Sequence, residues 1–191
     1  MGLFTLEHGK GAYRADFVLY GAAVLALAVF LLLDAPRAHG LRIALWTVAG
    51  LAGWSLTEYA LHRFVLHGVQ PFQGWHAAHH ARPTALICAP TVLSAALIVT
   101  LVFLPALLLG DVWRACALTL GLVSGYLAYA ITHHATHHWR ADSAWLRERK
   151  RWHALHHHSR QPGCYGVTSG VWDHVFGSAR RAARREVLTP P

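Results

Sequence analysis

GYLAYAITHHATHH, residues 125–138, closes an apolar stretch that starts at Val112 and runs straight into histidines four residues apart. A helix rising 1.5 Å per residue needs roughly 20 apolar residues to cross about 30 Å of hydrocarbon. Residues 112–132 are therefore read as a membrane span whose helix continues past the lipid, with His133 and His137 on one face. The same pattern occurs earlier, where WSLTEYALHRFVLH (54–67) ends an apolar run from Leu41 and carries His62 and His67. WHAAHH adds His76, His79 and His80, and WHALHHH adds His153, His156 and His157. These four groups hold ten histidines.

The composition suits a membrane setting. Of 191 residues, 54% are hydrophobic and only 14% charged, with eight tryptophans, a balance foreign to soluble globular domains. A formal net charge of +8 raises nucleic-acid binding as a reading. The basic residues flank apolar spans, however, and none of the modules that grip nucleic acid is present. Cys88, Cys116 and Cys164 lie far apart without a C-x-x-C pair, so they form neither a disulfide framework nor a zinc ribbon. The first apolar run ends in Leu31, Leu32, Leu33 and Asp34 rather than a small-residue cleavage site, and is expected to stay in the protein as a span.

Four spans are predicted, at about 16–33, 41–60, 85–109 and 112–132, in one all-α membrane-embedded domain covering 1–179. Pro105 is placed to kink the third span, and the short Gly110-Asp111 link makes the third and fourth an antiparallel pair. Ten of the seventeen Lys and Arg residues follow the fourth span, which by the positive-inside tendency puts the C-terminus in the cytosol. Four crossings return the N-terminus, with Lys10 and Arg14, to the same side. All four histidine groups then share one face, within a cytosolic helical cap of about 63–84 and 133–179. Residues 180–191, with Arg180, Arg181, Arg184 and Arg185, read as a solvated basic tail against anionic lipid. A bacterial inner membrane is the expected location.

Ten histidines at such spacings are not independent surface groups. Positions i, i+3 and i+4 share a helical face, so His76, His79 and His80 can converge, as can His153, His156 and His157. His62 and His67 are five apart, about 140° around an ideal helix. They are expected either to reach different metals or to sit where the helix end unwinds. Charge supplies a second argument. The chain has only nine Asp and Glu residues, and two protonated rings 4 Å apart would repel by roughly 4 kcal/mol at an effective dielectric of about 20, so a crowded cluster must be neutral or hold metal.

Structural zinc takes four ligands in a tetrahedron, which would leave most of these histidines unused. Ten imidazoles shared by two ions leave each with about one open octahedral position, and imidazole suits iron. Two iron ions are the expected cofactors, with zinc able to fill the sites in a purified sample. The Glu-x-x-His pairs of soluble di-iron bundles are absent, as is the H-E-x-x-H of zinc proteases. Glu58, four residues before His62, is placed to orient that ring from behind; the alternative is a helix-end charge paired with Arg63 or a cap arginine.

In these motifs the chain resembles the fatty acid hydroxylase and sterol desaturase superfamily of membrane di-metal oxygenases. WSLTEYALHRFVLH is most similar to the fatty acid 2-hydroxylase branch, and the likeness continues through HAAHH and GYLAYAITHHATHH to GVTSGVWDHVFG (166–177). The family pattern has a tyrosine four residues before the first histidine of the third group. Tyr129 fills that place and selects His133 and His137 over His134 and His138. An acid often follows that tyrosine in the family, where this chain has Ala130. By the same match His174 is structural, and His8, His39 and His158 lie outside the ligand set.

The resemblance implies hydroxylation of an unactivated C–H bond in a lipid, fatty acyl or sphingolipid-like, with dioxygen and two electrons. The acyl chain would lie in an apolar slot between spans, with Trp54, Tyr59, Tyr126 and Tyr129 as candidate lining. Some relatives carry a fused cytochrome b5 domain that is not recognisable here, so a separate ferredoxin, cytochrome or reductase is expected as electron donor. Two other readings stand beside this one: a carotenoid or sterol hydroxylase or desaturase of the same superfamily, and a membrane metal transporter or store. A transporter would need ligands along a path inside the spans, whereas these groups cluster at span ends.

Overall fold

Backbone polar groups inside a bilayer must be satisfied within the segment itself, and the long Leu, Ala and Val runs of this chain accordingly become helices. The computed structural model describes residues 7, 9–87, 89–158 and 163–179; the expected basic tail at 180–191, His8 and Cys88 lie outside these. Helix α1 (Lys10–Asp34) is followed by a 3-10 turn (Arg37–His39) and α2 (Gly40–Ala60), which runs on into a π turn (Leu61–Leu66). Then come α3 (Phe72–Ala81), α4 (Thr91–Ile98), a second π turn (Val99–Phe103), α5 (Leu104–Leu108), α6 (Val112–His138), α7 (Ala144–His158) and α8 (Val171–Val175). Among the described residues the one β contact is an isolated bridge between Glu7 and Ile87. The fold is all-α.

Among the described residues, three helices are long and apolar enough to cross a membrane: Lys10–Asp34, Thr91–Leu108 and Val112–His138. They leave large apolar side chains bare, with Leu32 and Leu108 each 81% exposed, a surface suited to lipid. The sequence reading expected a fourth span at 41–60. Helix α2 has the length, at 21 residues, but carries Arg42 and Glu58 among several small and polar residues. It packs along α6 more extensively than any other pair of elements, and at that contact small residues serve better than apolar bulk. An added Cβ at Gly50 would lie 2.1 Å from the Leu118 carbonyl oxygen, and one at Gly121 would lie 1.9 Å from that of Thr47.

The third span begins at Thr91, later than the predicted 85, because Pro90 occupies its N-cap and residues 82–87, 89 and 90 are non-helical. Near Pro105 the irregularity takes the form of the π turn at Val99–Phe103, one turn earlier. Proline has no N–H for the carbonyl four residues back, so the ladder shifts at that point. Asp111 caps α6, accepting from the Arg114 backbone N–H at 2.9 Å, and pairs with Arg42 at 2.8 Å. These contacts fix the end of the bundle remote from the histidines. There Leu31, Cys116 and Ala117 form a core with Phe30 and Trp113, whose rings stack at 5.4 Å. At the other end α1 is tied to the start of α4: Thr91 donates to Asp16 at 2.7 Å, and the Tyr20 and Ser94 hydroxyls meet at 2.7 Å.

Candidate metal centre

The histidine-bearing ends of α2 and α6 meet α3 and α7 at one end of the bundle, and the rings divide into two sets. His62, His67, His76, His80 and His156 form one and His79, His133, His137 and His153 the other; within each, one ring nitrogen per residue lies within 4.8 Å of all the others. Among the described residues no carboxylate belongs to either set.

Helix α3 serves both. His76 and His80, four apart, turn to the first set, and His79 turns to the second. At 100° per residue, positions i+3 and i+4 point about 100° apart, so one helix can feed two points rather than the single one the spacing suggested. Helix α7 does likewise, with His156 in the first set and His153 in the second.

The five-residue gap between His62 and His67 is accommodated by the π turn at Leu61–Leu66. Its i to i+5 repeat brings residues five apart onto one face, and both rings join the first set.

His157 stands apart. Its ring centre is 4.5 Å from that of His153 and 4.9 Å from that of His79, and it stacks on His80 at 4.1 Å. Both of its ring nitrogens are buried without a hydrogen-bond partner, although it falls outside the second set as the distances define it. His134 and His138 stack on each other, and His134 meets the Tyr13 hydroxyl at 3.2 Å, away from both sets. His174 packs on Trp152, and His39 lies beside Arg42.

The spacing of the nitrogens tests what could sit between them. Nε2 atoms are 3.0 Å apart for His62 and His76, His76 and His80, and His80 and His156, and 3.2 Å apart for His67 and His156. In the second set the separations are 3.1 Å for His79 and His133 and 2.8 Å for His137 and His153. Two nitrogens each about 2.1 Å from one ion stand about 3.0 Å apart at a right angle and about 3.4 Å apart at a tetrahedral angle. The donor sets fit ions with right-angled ligands better than tetrahedral ones.

Tautomers support the same reading. The Nδ1 atoms of His62 and His156 face the backbone carbonyls of Tyr165 and Gly163. A carbonyl can only accept, so Nδ1 carries the proton and Nε2 presents a lone pair to the shared point. Lone pairs converging in this way call for a cation.

Burial keeps the rings neutral. Desolvation, reinforced by neighbouring imidazoles, lowers the pKa of His79 to about 3, His80 to about 4 and His157 to about 2. Burial also takes His156 to about 3, against a hydrogen bond to the Gly163 carbonyl that raises it. His62, His76 and His153 move the same way for the same first cause. An unfolded imidazole takes a proton near pH 6.5. Between that value and about 3 to 4 the unfolded chain therefore binds more protons, and stability is lost as pH falls below about 6.5. Metal-free protein in detergent is expected to melt at a lower temperature at about pH 5.5 than at about pH 7.5, and equal melting points would show that these rings are not buried neutral.

Glu58 does not reach the His62 ring, whose two nitrogens face Tyr165 and His76. Its carboxylate instead accepts from the backbone N–H of Val167 and Thr168 and from the Thr168 hydroxyl, at 2.7, 2.9 and 2.6 Å. Arg63 donates to the Tyr59 hydroxyl rather than to Glu58. Tyr129 stacks on His133 with ring centres 5.8 Å apart. Sequence reasoning gave no role to Asp173, which is fully buried beneath the 163–168 loop; its place inside the WDHVFG motif was the available signal.

A cavity lies against both sets. His62 and His76 from the first and His79 and His133 from the second line it, together with Tyr126, Tyr129, Phe17 and Trp75. Of the four aromatic residues expected there, Trp54 and Tyr59 are elsewhere: Trp54 packs on Gly125, and Tyr59 bonds Ser178 at 2.8 Å. Helix α1 supplies lining that the sequence did not suggest, including Asp16, which is buried.

Comparison with known proteins places this arrangement. The sequence pattern described as fatty acid hydroxylase matches residues 47–178. A dihydroceramide fatty acyl 2-hydroxylase of Arabidopsis thaliana is 36% identical over 148 residues, covering 72% of this chain and 61% of its own length. A ceramide very long chain fatty acid hydroxylase of Schizosaccharomyces pombe is 31% identical over 69% of this chain and 41% of its own length. The chain thus spans less than two thirds of these relatives. A solved structure, "Full length scs7p (only hydroxylase domain visible)", superposes with a TM-score of 0.74 at 25% identity, over 89% of this chain and 67% of that one.

Proposed function

We propose that this chain, which belongs to the fatty acid hydroxylase family, is a multi-pass membrane oxygenase that hydroxylates a C–H bond in the acyl chain of a sphingolipid-like or other fatty acyl substrate. The observation that carries this reading is the pair of all-imidazole donor sets beside one cavity that opens onto both. Two iron ions suit the sets, the first held by His62, His67, His76, His80 and His156. The second would be held by His79, His133, His137 and His153, with His157 as its fifth ligand. Bound iron would supply dioxygen activation. One oxygen atom enters the C–H bond and the other leaves as water, with two protons and with two electrons from a separate ferredoxin, cytochrome or reductase.

The protein's own contribution is placement. Phe17, Trp75, Tyr126 and Tyr129 give the cavity a largely aromatic wall, which would hold an acyl chain against the histidines and exclude water. The neutral rings keep their lone pairs available at neutral pH.

The membrane arrangement we favour has four crossings within one domain covering 1–179, α2 being the fourth. Packing against α6 would cover its less apolar side. The histidine end and both termini then face the cytosol, where the Lys and Arg excess lies.

Mass spectrometry of lipids from cells with and without the chain tests the activity. The expected result is a gain of one oxygen in acyl-containing lipids. Loss of two hydrogens would reassign the chemistry to desaturation, and unchanged lipids would remove the proposal.

A further inference from the structure

The loop at 163–168 backs the first histidine set. Gly163 turns its carbonyl to Nδ1 of His156 at 3.0 Å, and Tyr165 turns its own to Nδ1 of His62. Between them Cys164 adopts φ 57°, the left-handed region, and its N–H donates to the Ser178 carbonyl at 3.0 Å.

Two buried carboxylates hold the loop in this shape. Asp173, from α8, accepts the N–H groups of Tyr165 and Gly166 at 2.8 and 2.7 Å and the Ser178 hydroxyl at 2.7 Å. Glu58, at the end of α2, accepts the next two N–H groups, those of Val167 and Thr168. The N–H groups of residues 165–168 thus all end on carboxylates. Glycine is required within this turn, since a Cβ at Gly166 would lie 1.9 Å from the Ser169 carbonyl oxygen.

Among the described residues, two rings of the second set show no such backing. The Nδ1 atoms of His79 and His153 are buried with no hydrogen-bond partner.

We propose that Glu58 and Asp173 are positioning residues for the five-histidine centre alone: they clamp the 163–168 loop, whose two carbonyls fix the tautomer and aim of His62 and His156. The proposal rests on the reading of both histidine sets as metal centres. A partner behind a ligating histidine is worth roughly 10–100-fold in metal affinity, and here that partner is a loop with its own two anchors. The two centres therefore respond differently to changes in the loop.

The test uses the full chain in detergent, loaded with ferrous iron without oxygen and equilibrated against a graded chelator, with ions per chain counted by mass spectrometry. Wild type is expected to hold two. Glu58→Ala, which removes the acceptor, is expected to weaken one ion by roughly 10–100-fold and leave the other unchanged. Adding His67→Ala should then abolish the weakened ion, whereas adding His137→Ala should abolish the unaffected one.

Cys164→Val, a β-branched residue that resists the left-handed region, is expected to reproduce Glu58→Ala. Cys164→Gly should keep both ions at wild-type strength. The Cys164 pair carries the test if Glu58→Ala does not fold. A general loss of structure would weaken both ions together, and that result, or no change in either ion, would overturn the proposal. A wild type holding fewer than two ions would instead overturn the two-centre reading beneath it.

Discussion

Replacing His76 by alanine is expected to remove one ion per chain and to abolish the hydroxylated product, while His39→Ala changes neither. His76 is a buried ring whose Nε2 lies 3.0 Å from those of both His62 and His80, so its loss opens a gap in the middle of the first set. The neighbouring imidazoles cannot close it. They project from the π turn, from α3 and from α7, and two of them are tied behind by loop carbonyls. Loss of an outer partner costs roughly 10–100-fold, and loss of a direct donor should exceed that. His39 stands at the remote end beside Arg42, in neither set. His157→Ala is the intermediate case, expected to weaken the second ion alone. Ion counts and lipid profiles on the same preparations check all three variants, and a His39→Ala as damaging as His76→Ala would undo the ligand assignment.

The parts of this arrangement that depend on apolar runs and on side-chain type are legible in the sequence. Residues 112–138 read as one helix leaving the lipid, and α6 is that helix, with His133 and His137 in one set. Features that depend on local backbone departures are less visible. The gap between His62 and His67 poses a problem that α geometry cannot solve, and a π turn, which has no simple sequence signature, solves it. The start of the third span is misplaced because hydropathy weighs apolarity, whereas Pro90 and the path before it decide where the helix begins. Glu58 is recognisable as a residue placed near the site, but a partner along its own helix is the wrong place to look. The carboxylate reaches instead to Val167 and Thr168, more than 100 residues on, a separation that no local pattern can bridge. The same distance in sequence hides the contribution of α1 to the cavity, since Phe17 and Asp16 lie well before the matched motifs.

A single added methyl group at Gly121 is expected to damage the whole protein more than most ligand substitutions. The Cβ of Gly121→Ala would fall 1.9 Å from the Thr47 carbonyl oxygen and 2.8 Å from the Leu51 nitrogen. Both are backbone atoms of α2 and cannot swing away as a side chain would. Gly50 makes the reciprocal approach to α6, with its added Cβ 2.1 Å from the Leu118 carbonyl oxygen, so the two helices touch backbone to backbone on both sides. Relief requires separating α2 from α6. These helices carry His62 and His133 into the two sets, whose nitrogens pack at 3.0 and 3.1 Å from their neighbours, so a displacement of an ångström at the spine is large compared with the tolerance of the site. Overpacking ordinarily costs about 1–3 kcal/mol, and a backbone clash with no compliant neighbour should reach or pass the upper end. Gly53→Ala is the matched control, because nothing lies within 4 Å of its added Cβ, and it should be neutral or stabilising by up to about 1 kcal/mol. Thermal unfolding in detergent followed by circular dichroism, with ions counted on the folded fraction, separates the two variants. A Gly121→Ala protein that melted with wild type and kept both ions would mean that the α2 and α6 contact has slack, and that the histidine sets do not depend on it.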